Sequence, residues 1–353
     1  MEKMIEKSSI KITSDLLRID NRSGNRLKNP QRTNVEMIAR MWGSRMVSAF
    51  EAESLQIICG DEGGLSSFRA KFLKTHSLPL ESDSWAYIFE GDNCFDELKQ
   101  AVIEIFAGSI VVGYELPPYM KKAFDEGGVK YINMRVCPLR FLNDYMLDLQ
   151  SNDPKIEKRW KAHEMPNSLA VAHACAEIGR SARIFPREKV LEDSVVFFGQ
   201  TEIDAALVYD GRLMTISDTH DYLRDLTAEH DRVYFKHHPH SKSIDLQNKW
   251  LSKIPRVEVI DANTYALLGH DNVRRVAAIS SSVLDEAKYF PIDIISRMIP
   301  QNPENYTTVM GDFLHPDFWD VTSGKKSEIA IDQLTPLRAG ELFKRTLNMR
   351  WGK

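Results

Sequence analysis

The chain has 353 residues, which is enough for two domains of ordinary size. Its 46 basic and 50 acidic residues give a net charge of -4, so it lacks the basic surplus of nucleic-acid-binding proteins, and no nucleic-acid partner is expected. The four cysteines form no C-x-x-C pair and no apolar run reaches the roughly 18 residues that span a bilayer, which argues against zinc ribbons, disulfide frameworks and membrane-spanning helices. A cytoplasmic location is expected, with a peripheral contact with the inner membrane left open.

Short apolar runs alternate with helical patterns along the chain, which is typical of an α/β fold. The runs that predict strands lie at 54–59, 109–113, 130–133, 195–198, 233–235, 257–260 and 276–279. The patterns that predict helices lie at 35–42, 95–106, 168–179 and 283–290, with a further long helix after Pro138 through Leu142 and Leu149. Asp210-Gly211, between two apolar runs, predicts a hairpin turn.

The segment 186–193 separates a helical stretch from a fresh strand, and it is the expected crossing between two Rossmann-like domains. We therefore predict a first domain over 1–186 and a second over 187–353, with a ligand cleft between them. A terminal helix near 337–347 is expected to cross back to the first domain.

Two acidic residues follow predicted strands, one in each half of the chain. Glu115 comes after the strand at 109–113, and Pro117 and Pro118 then stop the strand and start a helix. Asp204 comes after the strand at 195–198. Because open α/β sheets bind ligands at the carboxyl ends of their strands, the two carboxylates are expected to face each other across the cleft. A nucleophile and a general acid/base are what such a pair supplies.

Each acid also has a structural interpretation, which the spacing alone leaves open. Glu115 would then pair with Arg135 or Arg140, and Asp204 would cap a helix. Glu202 follows the same strand as Asp204 and competes with it for the role of nucleophile.

Two further strand ends carry groups that suit a phosphate. Lys236, His237 and His238 follow the strand at 233–235, and the run Ser280-Ser281-Ser282 precedes a predicted helix whose first amides are free to bind an anion. A solvated turn and a plain helix cap are the structural alternatives. A metal site is discounted because adjacent histidines point in different directions and no carboxylate or cysteine lies at ligand spacing. No metal and no cofactor are expected.

Several of these motifs resemble those of the bacterial retaining β-Kdo transferases of capsule and O-antigen assembly. The blocks Tyr114-Glu-Leu-Pro-Pro118, 129–133 and Cys137-Pro-Leu-Arg-Phe-Leu-Asn-Asp144 are similar to the corresponding blocks of that family. Gly199-Gln200-x-x-x-Asp204 is similar to its acidic motif, and Lys236-x-His238-Pro239 with Ser280-Ser281 resembles motifs that the family shares with bacterial sialyltransferases. The resemblance covers about half of the chain.

The resemblance implies a GT-B fold, a CMP-Kdo donor, a glycan or glycolipid acceptor and retention through a covalent sugar adduct. It makes Asp204 the nucleophile and Glu115 the acid/base. Gln200, Lys236, His237, His238 and the three serines would bind the donor, and Arg140 would meet the Kdo carboxylate. His237 stands where related loops more often carry proline, which leaves open whether His237 or His238 faces the ligand.

Two other functions stay open at this point. An inverting CMP-sialic acid transferase would use one of the acids only as a general base. A non-catalytic sugar-nucleotide-binding module would need neither acid for its role. Whether the protein contacts the membrane or other polysaccharide-assembly proteins also stays open.

Overall fold

The computed structural model describes residues 8–90, 95–184, 190–300, 304–309 and 311–329. Within these residues the chain forms two main β-sheets, each flanked by helices, and one small hairpin. The α/β class predicted from the sequence is confirmed. The helix predicted near 337–347 lies outside the described residues.

The first sheet has six strands in the described part of the chain, in the order β13-β5-β4-β3-β1-β2. These strands are β1 (Ser9–Thr13), β2 (Leu55–Ile58), β3 (Ser109–Tyr114), β4 (Lys130–Val136), β5 (Leu147–Ser151) and β13 (Thr307–Val309). The first four run parallel to one another, whereas β5 runs antiparallel to both of its neighbours. The carboxyl ends of β1 to β4 therefore lie at one edge.

The second sheet has five parallel strands among the described residues, in the order β10-β9-β6-β11-β12. These strands are β6 (Ser194–Phe198), β9 (Arg232–Lys236), β10 (Val257–Val259), β11 (Val273–Ala278) and β12 (Ile294–Arg297). The hairpin joins β7 (Val208–Tyr209) to β8 (Arg212–Leu213) through Asp210 and Gly211. Both turn residues have positive φ, at 51° and 68°, which confirms the predicted Asp-Gly turn.

Helices cover both faces of each sheet. In chain order they are α1 (Arg32–Ala49), α2 (Phe68–Thr75), α3 (Ser82–Phe89), α4 (Phe95–Phe106), α5 (Pro118–Gly127), α6 (Pro154–Trp160), α7 (Asn167–Ile184), α8 (His220–Glu229), α9 (Ile244–Leu251), α10 (Thr264–Leu268), α11 (Val283–Ala287) and α12 (Phe318–Ser323). The first sheet packs α1, α6 and α12 on one face and α2 to α5 on the other. The second packs α7, α10 and α11 on one face and α8 and α9 on the other.

The continuous apolar runs of the strands follow from this double covering. In β6 the side chains of Val195 and Phe197 enter one core, and those of Val196 and Phe198 enter the core on the opposite face. A strand that is buried on both faces needs apolar residues at every position, because successive side chains point to opposite sides. Runs of this kind are what made the second-half strands visible in the sequence.

Some elements pack across the division predicted at residue 186. Helix α7 precedes it but packs on the second sheet, where Ala170 and Ala174 are fully buried. Strand β13 and helix α12 follow it but belong to the first sheet and its core. No helix among the described residues is long and apolar enough to cross a membrane.

The long helix predicted after Pro138 is wrong. Residues 137–146 form a loop between β4 and β5, and Leu149 lies in β5. The apolar residues Leu139, Leu142 and Met146 have helical spacing, but they are buried because the loop inserts them into the core of the second sheet. We call this segment, residues 137–146, the first crossing loop.

A second loop crosses in the opposite direction, from the second sheet to the core of the first. Residues 199–213 follow β6 of the second sheet, yet Ile203 and Val208 are buried in the first-sheet core that contains Trp85. We call this segment the second crossing loop. Its backbone is also bound by the first half, since the Arg22 guanidinium donates to the Ile203 carbonyl at 3.3 Å and the Gly211 amide donates to Glu90 at 3.3 Å.

Candidate active site

Glu115 lies at the carboxyl end of β3 in a left-handed backbone conformation, with φ of 50°. Its amide donates to the Met134 carbonyl at 2.9 Å, and the next amide, of Leu116, donates to Asn133 Oδ1 at 2.9 Å. A positive φ is unfavourable for a residue with a side chain, by roughly 1 kcal/mol, and it persists here because β4 holds both amides. The turn fixes where the carboxylate stands.

The Glu115 carboxyl is accessible to solvent but lies in a cleft with protein on most sides. This partial desolvation raises its pKa, and the nearby Asp204 carboxylate raises it further. Arg18, a hydrogen bond from Tyr114, and Arg140 oppose the rise, but the net shift is upward. Gln31 Nε2 also donates to Glu115 Oε2 at 3.0 Å. A raised pKa makes this carboxyl a better candidate for proton transfer than an ordinary glutamate.

Asp204 lies on the second crossing loop and is half-buried. Its Oδ1 accepts a hydrogen bond from the Ala206 amide at 2.9 Å, which caps a 3-10 turn over Ala205–Leu207. Asp204 therefore acts as a cap, as the structural interpretation predicts, but capping uses only one of its two carboxylate oxygens. Among the described residues, nothing donates to Oδ2, so this oxygen is available to a reacting carbon. The two acids lie near each other, because Ile203, next to Asp204, is buried in the same core as Leu116, next to Glu115, and the charge of Asp204 acts on Glu115.

Both carboxylate oxygens of Glu202 bind other groups of the protein. Its Oε1 accepts from the Ser241 hydroxyl at 2.7 Å, the Lys242 amide at 2.9 Å and both the amide and hydroxyl of Ser243 at 3.1 and 2.7 Å. Its Oε2 pairs with Arg22 at 3.4 Å. Although partial burial acts in the opposite direction, these bonds lower the pKa of Glu202 to about 2. Both oxygens hold loops in place, which leaves Asp204 as the accessible acid after β6.

Arg135 does not partner Glu115. Its Nε donates to Asp148 at 3.0 Å, and its guanidinium lies 3.9 Å from the centre of the Tyr306 ring. Arg140 stands on the first crossing loop with an exposed side chain 5.5 Å from the Tyr145 ring centre. No ion pair to Arg140 is formed within the described residues, and its charge acts on both Tyr114 and Glu115. The guanidinium is thus open to an acidic ligand.

The end of β9 places Lys236 and His238 beside the second crossing loop. Burial lowers the pKa of both side chains, and the neighbouring His240 adds to the effect on His238. The His240 amide donates to His238 Nδ1 at 3.1 Å, so the proton of the neutral ring lies on Nε2. His238 therefore offers an N–H donor.

His237 faces away from this group. Its Nδ1 lies 2.8 Å from Gln247 Oε1 and its Nε2 lies 2.6 Å from Asn248 Oδ1, both on α9. Gln247 uses its Nε2 to donate to Ser241 and Ser243 at 3.0 and 3.1 Å, which fixes its Oε1 as the acceptor for His237 Nδ1–H. In this conformation both ring nitrogens of His237 bind α9, and the role that the sequence assigns to it stays a prediction.

Gln200 and Ser280 join the ends of β6 and β11. Gln200 Nε2 donates to the Ser280 hydroxyl at 3.0 Å, and the Ser280 amide donates to Gln200 Oε1 at 2.7 Å. Ser280 is buried, whereas Ser281 is half-buried and Ser282 is exposed. Ser282 makes no side-chain cap of α11, and Ser281 lies 3.4 Å from the Val283 amide. The last two serines are therefore the ones that a ligand reaches.

Glu286, on α11, was missed by the sequence analysis although it holds the first crossing loop. Its Oε2 accepts from the Arg140 amide at 2.9 Å and from the Tyr265 hydroxyl at 2.9 Å. The carboxyl is 4% exposed, and burial raises its pKa to about 7 despite these bonds and the nearby Arg140 charge. Glu286 thereby positions Arg140 by its backbone. An acidic residue inside an apolar helical pattern is the signal that could have found it.

Arg18 and Gln31 were missed for a different reason. Both lie in the first-sheet half beside Glu115, and Arg18 follows β1, a strand that was not predicted. Register pairs Thr13 of β1 with Gly113 of β3, so the loop after β1 lies next to Glu115. Recognising β1 would have placed Arg18 at the site.

No family model matches the chain, and no curated protein matches its sequence. Among solved structures, the beta Kdo 2,7 transferase KpsC of Thermosulfurimonas dismutans is similar over 90% of this chain and 90% of its own, with a TM-score of 0.36 and 12% identity. The beta Kdo 2,4 transferase KpsC of the same organism is similar over 63% of this chain and 85% of its own, with a TM-score of 0.33 and 14% identity.

A Methanocaldococcus jannaschii UDP-GlcNAc 2-epimerase, in complex with UDP-GlcNAc and UDP, is similar over 97% of this chain and 99% of its own. Its TM-score is 0.30 and its identity 11%. All of these scores and identities are low.

Replacing Glu202 by Gln is expected to destabilise the protein by about 1–3 kcal/mol at pH 7, because a charged acceptor of several hydrogen bonds is lost. The lowered pKa of Glu202 means that its contribution is fully present above its ordinary pKa and is lost as pH falls toward 2. The difference in unfolding free energy between wild type and Glu202→Gln should therefore shrink as pH falls. Denaturant unfolding from pH 7 to pH 3 measures it. Glu258→Gln is the control, since Glu258 is exposed and lies 3.7 Å from Arg232.

Glu286 should make the protein less stable as pH rises. Its pKa is higher in the folded chain than in the unfolded chain, so the folded state binds the extra proton between its ordinary pKa and about 7. Stability is therefore lost on raising the pH through this window, and Glu286→Gln should remove most of that loss. Thermal unfolding at pH 5.5 and pH 8 tests it, with Glu177→Gln on α7 as the control. An unchanged pH dependence in Glu286→Gln would contradict the assignment.

Proposed function

We propose that the protein is a retaining glycosyltransferase that transfers Kdo from CMP-Kdo to a bacterial glycan or glycolipid through a covalent adduct on Asp204. One observation carries the proposal: an accessible Asp204 oxygen and a Glu115 carboxyl of raised pKa lie near each other and come from opposite halves of the chain. The Kdo donor and the retaining outcome are supported by the motif resemblance described above.

The donor would bind by its two negative groups. The phosphate of CMP-Kdo meets Lys236, the Nε2–H of His238 and the hydroxyls of Ser281 and Ser282, and the sugar carboxylate meets Arg140. These groups hold the anomeric carbon against Asp204. They also stabilise the charge that develops on the phosphate as its bond to the sugar breaks.

In the first step an Asp204 oxygen forms a bond to the anomeric carbon, and CMP leaves with the bonding electron pair. In the second step Glu115, as a carboxylate, removes the proton from an acceptor hydroxyl. The hydroxyl oxygen bonds to the anomeric carbon from the face that CMP left, and the electrons of the ester bond return to Asp204. Two inversions at the same carbon give net retention.

Glu115→Gln should trap the intermediate. Without the base, the second step slows while the first still proceeds, so intact protein mixed with CMP-Kdo should gain the mass of one Kdo residue. Peptide mass spectrometry should place that mass on Asp204. The matched control is Glu115→Gln combined with Asp204→Asn, which should gain no mass. If transfer occurs without any adduct and the product has the opposite anomeric configuration to the donor, the reaction is inverting and Glu115 alone acts as its base.

Asp204→Asn should reduce turnover by at least about 100-fold while CMP still binds, because the amide is a poor nucleophile but leaves the phosphate-binding groups in place. Calorimetric titration with CMP and a transfer assay with CMP-Kdo separate the two effects. A sugar-nucleotide-binding module that needs no catalysis would show no turnover in the wild type and would keep its biological role in both Asp204→Asn and Glu115→Gln.

A further inference from the structure

Arg18 has a rigidly held backbone and side chain. Its amide donates to the Asp15 carbonyl at 3.3 Å, and its own carbonyl accepts from the buried Arg69 guanidinium at 2.8 Å. The Arg18 guanidinium lies over the Trp85 ring, with its central carbon 3.9 Å from the ring centre. Trp85 is fully buried and donates its indole N–H to Asp15 at 2.6 Å. The cation therefore has one position before any ligand arrives.

The charge of Arg18 is not paired. Its Nε is buried without an acceptor, and no carboxylate of the described chain lies within ion-pair distance of its guanidinium. Asp15, Asp20 and Glu115 feel its charge, but each is bound by other groups. Asp15 accepts from Leu17, Trp85 and Tyr119, and Asp20 pairs with Arg22 at 2.6 Å. The side chain is half-buried, and within the described residues its Nη groups make no hydrogen bond and are not among the buried atoms without a partner, so they reach solvent.

The position of Arg18 separates it from the donor-binding groups. Lys236, His238 and the serines lie at the ends of second-sheet strands, and Arg140 lies on the first crossing loop. Arg18 follows β1 and reaches Glu115 from the first-sheet side. Under the proposed function, this is the side from which Glu115 receives the acceptor hydroxyl.

We propose that Arg18 binds an anionic group of the acceptor, a carboxylate or a phosphate close to the hydroxyl that receives the sugar. This inference rests on the proposed function. A guanidinium offers two parallel N–H groups that match two oxygens of either anion. The acceptor is thus an acidic molecule, either a glycan with a sugar-acid residue or a glycolipid with a phosphate near its growing end.

Binding to the CMP-saturated protein tests this with two pairs of probes, each an acid and a neutral counterpart. The first pair is methyl β-Kdo glycoside and its methyl ester. The second is glycerol phosphate and glycerol. Calorimetry should show that the acidic member of at least one pair binds at least about 10-fold tighter, because a charge-assisted contact to a held guanidinium is worth more than a neutral one. Preference within the first pair identifies a sugar acid, and preference within the second identifies a phosphate.

Arg18→Gln should abolish the preference and leave CMP affinity unchanged, whereas Arg18→Lys should retain part of it. Arg45→Gln removes one exposed cation on α1 and should change neither. The proposal is overturned if wild type shows no preference in either pair, or if Arg18→Gln keeps it. The wild-type comparison and Arg18→Lys decide the matter even if Arg18→Gln fails to fold. If wild type instead fails to bind CMP or to use CMP-Kdo, the proposed function fails, which is a separate result.

Discussion

The site depends on a reciprocal exchange of loops between the two halves of the chain. The first crossing loop leaves the first sheet and buries Leu139, Phe141 and Leu142 in the second core. The second crossing loop leaves the second sheet and buries Ile203 and Val208 in the first core. Each buried aliphatic or aromatic side chain contributes roughly 1.5–3 kcal/mol, so both loops are fixed by burial. Arg140 and Asp204 lie on these loops, and the same contacts that join the halves thus set the positions of these two candidate site residues.

Polar contacts add to the apolar contacts that hold the two crossing loops in place. Glu286 binds the first crossing loop through the Arg140 amide, and Glu202 ties the second crossing loop to the segment 241–243 and to Arg22. Both carboxylates bind backbone amides and neighbouring side chains; Glu202 uses both of its oxygens, and Glu286 is buried. Burial raises the pKa of Glu286 whereas hydrogen bonds lower that of Glu202. Protonation of Glu202 as the pH falls toward 2 therefore weakens its contacts with the second crossing loop. Protonation of Glu286 below about pH 7 instead relieves the cost of burying its charge.

Sequence reasoning located the elements whose local composition directly reflects their place in the fold. Strands buried on both faces appear as apolar runs, and Glu115 and Asp204 follow two of them directly. Sequence reasoning failed where the spacing typical of a helix occurs in a loop. Leu139, Leu142 and Met146 have the spacing of a helix, but they lie in a loop and are apolar because they fill the core of the second sheet. Strand β1, Ser9–Thr13, alternates polar and apolar residues over too few positions to stand out, so Arg18 beyond it was overlooked. The orientation of His237 depends on α9, which no local pattern reveals.

Charge couples the two steps of the proposed reaction. Before the first step, the Asp204 carboxylate raises the pKa of Glu115 and favours its protonated form. Once Asp204 is esterified by the sugar it is neutral, so this repulsion ends while Arg18 and Arg140 still act on Glu115. Loss of this repulsion lowers the pKa of Glu115 relative to its position before the first step, which favours the carboxylate that acts as the base in the proposed second step. An anionic acceptor group on Arg18 would partly offset this fall by neutralising that cation. In the proposed reaction, the covalent state of Asp204 thus shifts the pKa of Glu115 in the direction that the second step needs.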